Sequence, residues 1–136
     1  MKTNKLIMVV LTGVWVLFGA CSKDKDERDD FVGTWSTQET FTFGQVFTYN
    51  YNFSITKSTA ESNKILLNGF GDESGVTLQA TVSGRSFTIP QQTIVIDAES
   101  MGVSGSGTRD GNRLTYSYTL TTLEFSINIS GTATRL

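Results

Sequence analysis

The chain has 136 residues, enough for one domain once any targeting segment is set aside. Hydrophobic residues make up 38% and charged residues 18%, with 11 Lys and Arg against 13 Asp and Glu, which excludes both the basic profile of nucleic-acid binders and that of a disordered polyelectrolyte. The absence of His removes the commonest general base and metal ligand, and a single Cys leaves no intrachain disulfide.

Residues 1–20 have the layout of a secretory signal, with Lys2 and Lys5 ahead of an apolar run from Leu6 to Phe18 and the small pair Gly19 and Ala20. The competing reading is an uncleaved anchor helix. A spanning helix needs about 20 apolar residues, and here charge resumes at Lys23. LFGAC at 17–21 places small residues directly before the Cys and so resembles the lipobox of diacylglyceryl-modified bacterial lipoproteins, with Phe18 where a Leu-type residue is usual. The resemblance implies lipid attachment at Cys21 and membrane anchoring by several acyl chains; a single chain binds only reversibly. No free thiol then remains for redox or catalytic chemistry.

Residues 21–30 form a charged tether. SKDKDERDD after Cys21 has eight charges in nine residues and no apolar side chain, so it is expected to stay solvated and extended. Acidic residues just behind the acylated Cys resemble the export signal of Bacteroidetes-type lipoproteins, and Ser22 is unlike the Asp that retains lipoproteins at the inner membrane. This implies lipid anchoring in the outer membrane with surface display; the periplasmic face is the alternative. Losing Lys2 and Lys5 from its 11 basic side chains leaves 9 against 13 acids, a formal charge of −4. Such a module has no electrostatic attraction to an anionic membrane surface.

The domain is expected over 31–136, and its apolar spacing is two. Phe47, Tyr49, Tyr51, Phe53 and Ile55 alternate with Thr48, Asn50, Asn52 and Ser54, giving one aromatic and one polar face. The pattern recurs at Val76, Leu78, Ala80 and Val82, at Leu114, Tyr116, Tyr118 and Leu120, and at Phe125, Ile127, Ile129 and Ala133. Turns are expected at Gly44-Gln45, Gly71 to Gly75, Ser83-Gly84 and Asp110-Gly111-Asn112, with a longer polar loop from Lys57 to Asn63. Pro90 cannot donate a ladder hydrogen bond, so it ends the strand around Phe87 and Ile89 or sits on an edge before Ile94 and Ile96. Eight or nine short strands and no helix indicate an all-β, antiparallel up-and-down barrel, with a β-sandwich as the alternative.

FVGTW at 31–35 resembles the opening strand of the calycins, the group of lipocalins and fatty-acid-binding proteins. That resemblance implies a small barrel closed at its base by Gly33, Trp35 and Arg135, the Arg on the last strand lying across the Trp. A guanidinium over an indole contributes roughly 0.5–2 kcal/mol. The Thr- and Ser-rich texture with GSGT and DGN turns is also similar to the small calycin-like lipoproteins of the Bacteroidetes. Two departures stand out: Arg135 is followed only by Leu136, so the Arg-x-Tyr carboxylate clamp is missing, and no helical lid follows the first strand.

No catalytic set emerges. Ser-His-Asp and Cys-His chemistry lack a His, and Lys57 and Lys64, the lysines left for a Ser-Lys pair, flank the polar loop. Asp97 with Glu99 and Asp72 with Glu73 read as a solvated strand end and a solvated turn; neither resembles an EF-hand loop, and no metal site is expected. A glycosidase pair needs distant acids such as Glu39, Glu124 and Asp97 to converge. Gly102 to Gly107 lacks the Lys-Ser/Thr pair of a phosphate loop and reads as strand glycines beneath a close neighbour. Tyr49, Tyr51, Tyr116 and Tyr118 are the candidate ligand-contacting residues, for a small apolar ligand inside or a glycan outside, although a narrow barrel equally needs them as filling. The expectation is therefore a non-enzymatic, cofactor-free binding or interaction module, with a lipocalin-like carrier of a small apolar ligand as the alternative. A hollow interior distinguishes the carrier and a packed one the surface module.

Overall fold

The computed structural model describes residues 25–136, so the signal sequence of residues 1–20 and the lipidation site Cys21 lie outside the described residues. Eight antiparallel strands form a closed barrel in which each strand pairs with its sequence neighbours and the last returns to the first. They are β1 (Gly33–Phe43), β2 (Gln45–Lys57), β3 (Lys64–Asn68), β4 (Thr77–Ser83), β5 (Ser86–Ile96), β6 (Glu99–Asp110), β7 (Arg113–Thr121) and β8 (Ser126–Arg135). The barrel reading holds and the sandwich is set aside. The only helical pieces among the described residues are short 3-10 turns at Glu27–Asp30 and Phe70–Asp72.

The period-two pattern sets the faces. Tyr51, Phe53, Ile55, Leu78, Ala80, Leu114, Tyr116 and Tyr118 point inward and are buried, while the Thr, Ser and Asn between them face solvent. Phe125 departs from its expected strand. It lies in the β7–β8 turn and is 39% exposed, because pairing of those strands stops at Thr121 and Ser126.

The base of the barrel is closed by the N-terminal approach. Trp35 pairs with Arg135 across β1 and β8, and the guanidinium sits 4.5 Å from the indole centre. Trp35 donates its Nε1 hydrogen to the Phe31 carbonyl at 2.8 Å, and Arg135 donates to the carbonyls of Val32 and Asp30. Gly33 lies where any side chain would press on that guanidinium.

The second half of the tether departs from expectation. Residues 26–30 are docked rather than extended, since their charges find partners on the base: Arg28 donates to the carbonyls of Ser58, Glu61 and Lys64, and Lys57 pairs with Asp26 and Asp29. Arg109 pairs with Asp30 at 3.3 Å. The Arg28 guanidinium holds the Asp26 carboxyl well below the usual carboxylate range. Residues 26–30 therefore belong to the folded unit.

At the opposite end, which we call the mouth, the wall is uneven. Only Ser54–Lys57 of β2 pair with β3, and only Thr81–Ser83 of β4 pair with β5. Pro90 does not end β5; it takes an edge position before Ile94 and Ile96, past the last β4–β5 pair at Thr88 and at an irregularity in the β5–β6 pairing between Ile89 and Gln92. There the Gln92 amide replaces the missing ladder, accepting from Gln79 N–H at 3.0 Å and donating to Gln79 O at 2.9 Å. The gap between β2 and β3/β4 is filled by the Phe70–Asp72 turn, whose Phe70 is buried against Phe53, Tyr116 and Tyr118.

Arg135→Met removes the cation–π contact and the charged donor to two carbonyls. It is expected to lower unfolding free energy by about 2–4 kcal/mol in a urea titration, with the far-ultraviolet spectrum at zero urea unchanged.

Candidate functional site

The four expected tyrosines converge, and what they converge on is an acid. Glu39 on β1 is 0% exposed, and each of its oxygens accepts from two phenols. Oε1 accepts from Tyr51 and from Tyr116 at 2.7 Å; Oε2 accepts from Tyr49 at 2.6 Å and from Tyr118 at 2.7 Å. These are all the tyrosines the chain possesses. A carboxylate offers about four lone-pair sites, and four O–H groups occupy them.

Register explains how residues so far apart in sequence meet. Glu39 lies opposite Tyr49 on β2 and opposite Gly131 on β8, while Gly131 in turn lies opposite Tyr116 on β7. With no side chain at Gly131, the Tyr116 ring crosses β8 to reach the carboxylate. A Cβ at this position would collide with that ring. Two further bonds brace the cluster. Thr37 Oγ1 and the Tyr116 hydroxyl are 2.6 Å apart, and Gly71 N–H donates to the Tyr51 hydroxyl at 2.8 Å. The second bond ties the Phe70–Asp72 turn to the interior.

The rings stack as well as donate. Tyr49 and Tyr51 lie 5.8 Å apart at 15°, Tyr116 and Tyr118 6.3 Å apart at 23°, and Phe70 is 4.9 Å from Tyr118. Beside Tyr49 and Tyr118 a cavity of about 50 Å³ remains, bordered also by Phe70, Gly71, Leu78 and Ile94. The mouth above it carries Phe41 stacked on Phe47 at 5.1 Å and Phe43 at 5.8 Å from Phe125. Phe43 is 58% exposed, Leu123 is exposed in the β7–β8 turn, and Val46, opposite Thr42, is exposed on the outer face of the β1–β2 hairpin.

The remaining candidate acids do not join the site. Asp97 and Glu99 are exposed at the β5–β6 turn, Asp72 and Glu73 belong to the segment after β3, and Glu124 is exposed between β7 and β8. Glu39 alone is interior, and its lone pairs are taken. Lys57 and Lys64 are engaged in ion pairs with Asp26, Asp29 and Glu61. Gly102–Gly107 runs within β6, with Gly107 under the Phe87 ring. Among the described residues no group of three or more His, Cys, Asp or Glu is placed to hold a metal ion. Sequence reasoning named the tyrosines but read Glu39 only as a remote acid. The signal was in the parity of β1: Trp35, Thr37, Glu39 and Phe41 share one face, and Trp35 marks it as the inside.

Burial raises the ionisation range of Tyr51, Tyr116 and Tyr118 well above the ordinary value of 10, and the Glu39 charge beside them adds to it. Tyr49 moves the same way, from burial first and its bond to Glu39 second. A raised folded value means that the stability these phenols contribute is fully present below pH 10 and declines as pH rises above it, where the unfolded chain ionises and the native one does not. Alkaline titration is therefore expected to show phenolate absorbance appearing only together with unfolding, for all four tyrosines at once. Phenolate forming near pH 10 in a chain whose circular dichroism is still native would contradict this.

No protein-family model and no curated protein matches the chain. Among solved structures it is similar to a protein of unknown function of the DUF3598 family from Nostoc punctiforme, with 15% identity and a TM-score of 0.52. The match covers 79% of this chain and 48% of that one, so the chain spans about half the neighbour's length. The likeness is one of fold.

Proposed function

We propose that the protein is a lipid-anchored, non-catalytic binding module of the outer membrane, held through Cys21 and presenting the barrel mouth to a partner with an apolar face. The observation that carries this reading is the placement of two features at opposite ends. The chain enters at the base, where residues 26–30 are docked, and the exposed Phe43, Val46, Phe47, Leu123 and Phe125 gather at the mouth. Exposed rings that touch one another, as Phe43 with Phe125 and Phe41 with Phe47 do, are the kind of apolar surface that an interaction covers. An anchor at the base leaves the mouth pointing away from the membrane. The lipobox-like residues before Cys21 and the acidic run behind it support the anchor and the surface display.

The interior supports the module over the carrier. Pockets for drug-sized ligands measure about 300–1,000 Å³, whereas the interior cavity is about 50 Å³. The buried acid is spent on four phenols, which favours a non-catalytic role.

Two measurements test the proposal. Cys21→Ser is expected to move the protein from the membrane to the soluble fraction of the producing cells with its urea midpoint unchanged; retention in the membrane overturns the anchor. A photo-crosslinking residue at Phe43 or Leu123 is expected to give discrete adducts on intact cells, and one at Thr115 on the outer wall none. Equal labelling from both places, or none from the mouth, overturns recognition through the mouth.

A further inference from the structure

We propose that the mouth receives an extended, basic polypeptide segment, which adds as a further strand to the free edge of β2 with its apolar side chains turned inward over Phe47 and Tyr49. This rests on the reading of the mouth as the recognition end and names the kind of partner it takes.

The backbone is the first argument. From Gln45 to Asn50, β2 pairs with β1 on one side, and its pairing with β3 on the other begins only at Ser54. Among the described residues no loop backbone bonds to that stretch. Exposed strand edges invite pairing, and proteins guard them with prolines, bulges or lysines. On β5 the edge holds Pro90, and the Gln92 amide occupies the place beside it. The edge of β2 has no such guard, since its outward residues are Val46, Thr48 and Asn50. A row of free N–H and C=O groups is matched by another extended polypeptide. The rings beside this edge lack cover. Phe47 and Tyr49 stand on the inward face, yet Phe47 is 38% exposed and Tyr49 half-buried. Tyr51 and Phe53, on the same face but against the Phe70–Asp72 turn, are buried. Apolar side chains on the inward face of an added strand would cover the two open rings as that turn covers the others.

Charge is the second argument. In this up-and-down barrel the chain enters at the base, so the β1–β2, β3–β4, β5–β6 and β7–β8 connections all lie at the mouth end. They carry Asp72, Glu73, Asp97 and Glu124, with Glu99 at the start of β6, and no Lys or Arg. The basic residues of the described chain are at the base. Lys25 and Arg28 lie on the approach, and Lys57, Lys64, Arg85, Arg109, Arg113 and Arg135 at the strand ends and turns there. Asp72 borders the same hollow as Asn52 of β2, which sets the acids of the β3–β4 connection beside the open edge. An acidic rim repels nucleic acid, anionic lipid and acidic glycan, and it attracts cations. A segment that mixes Lys or Arg with apolar side chains fits rim and rings together. A second copy of this chain does not, because pairing through β2 brings two sets of these acids together.

The test uses the full-length protein in nanodiscs of neutral phosphatidylcholine, with empty discs as blank. The probe is a short peptide alternating Lys and Leu, and Glu–Leu and Lys–Ser peptides of equal length are the controls, followed by fluorescence anisotropy and amide hydrogen exchange. Saturable binding is expected for the Lys–Leu peptide, at least tenfold weaker for both controls, with exchange slowed over residues 45–50. Asp72→Asn combined with Glu73→Gln is expected to weaken binding at least fivefold, and Asp110→Asn at the base to leave it unchanged. Absence of saturable binding, equal binding of the Glu–Leu peptide, unchanged affinity in the Asp72→Asn, Glu73→Gln protein or protection confined to another strand overturns the proposal. A dimer of the free protein protected over residues 45–50 overturns it in favour of a second copy. Adducts from Phe43 on intact cells beside a failed peptide titration reject the added strand and keep the mouth as the recognition end, whereas absent adducts reject the mouth itself.

Discussion

A carboxylate inside an eight-stranded barrel sets the terms for everything packed around it. Moving an ion out of water costs several kcal/mol even after relaxation, and only a full set of hydrogen bonds makes such a position tolerable. Glu39 obtains that set from phenols on two strands far apart in sequence, so β1, β2 and β7 are held in one relative position by a single side chain. The bareness of Gly131 and the docking of the Phe70–Asp72 turn onto Tyr51 follow from the same demand. Removing the acid alone would leave four buried hydroxyls searching for acceptors; removing the phenols would leave a buried charge. Neither half of the cluster is viable without the other.

The two ends of the barrel are built on different principles. At the base, charges meet at the surface: Arg28, Arg109 and Arg135 tie the incoming chain to loop carbonyls and to acids, and Trp35 seals the floor. At the mouth, strands end unequally, pairing lapses on either side of β3 and β4, and apolar rings stand partly uncovered. Local opening is expected where backbone pairing is sparse. The loose end is therefore the end that carries the exposed rings, and the rigid end is the one to which the chain is led.

Much of the architecture was legible in the residues. Alternation in QVFTYNYNFSI and RLTYSYTL identified strands and their inward faces, and the Gly44, Gly84 and Gly111 turns fell where hairpins reverse. Trp35 and Arg135 were matched by the resemblance of residues 31–35 to a known opening strand and not by spacing, and they meet because β1 and β8 are neighbours in the closed barrel. The tyrosines could be named, but their purpose could not: parity places a side chain inside or outside, whereas the meeting of Glu39 with Tyr118 depends on the stagger of β8 between them. Residues 26–30 were misread because composition reports how charged a segment is and not whether opposite charges await it. Pro90 implied a lost donor and an edge position, with no indication that the Gln92 side chain takes over the missing bonds.

That substitution sets one part of the wall apart. Main-chain ladders are indifferent to sequence, since any residue but proline carries the same N–H and C=O. Between β4 and β5, where Pro90 displaces the ladder, both bonds to Gln79 come from the Gln92 side-chain amide, which imitates a peptide group by offering one donor and one acceptor. Closure at that place is thus written in a single codon. A glutamate there would present two acceptors to a carbonyl and an N–H, and an alanine would present nothing, leaving β4 and β5 joined only through Thr81–Ser83.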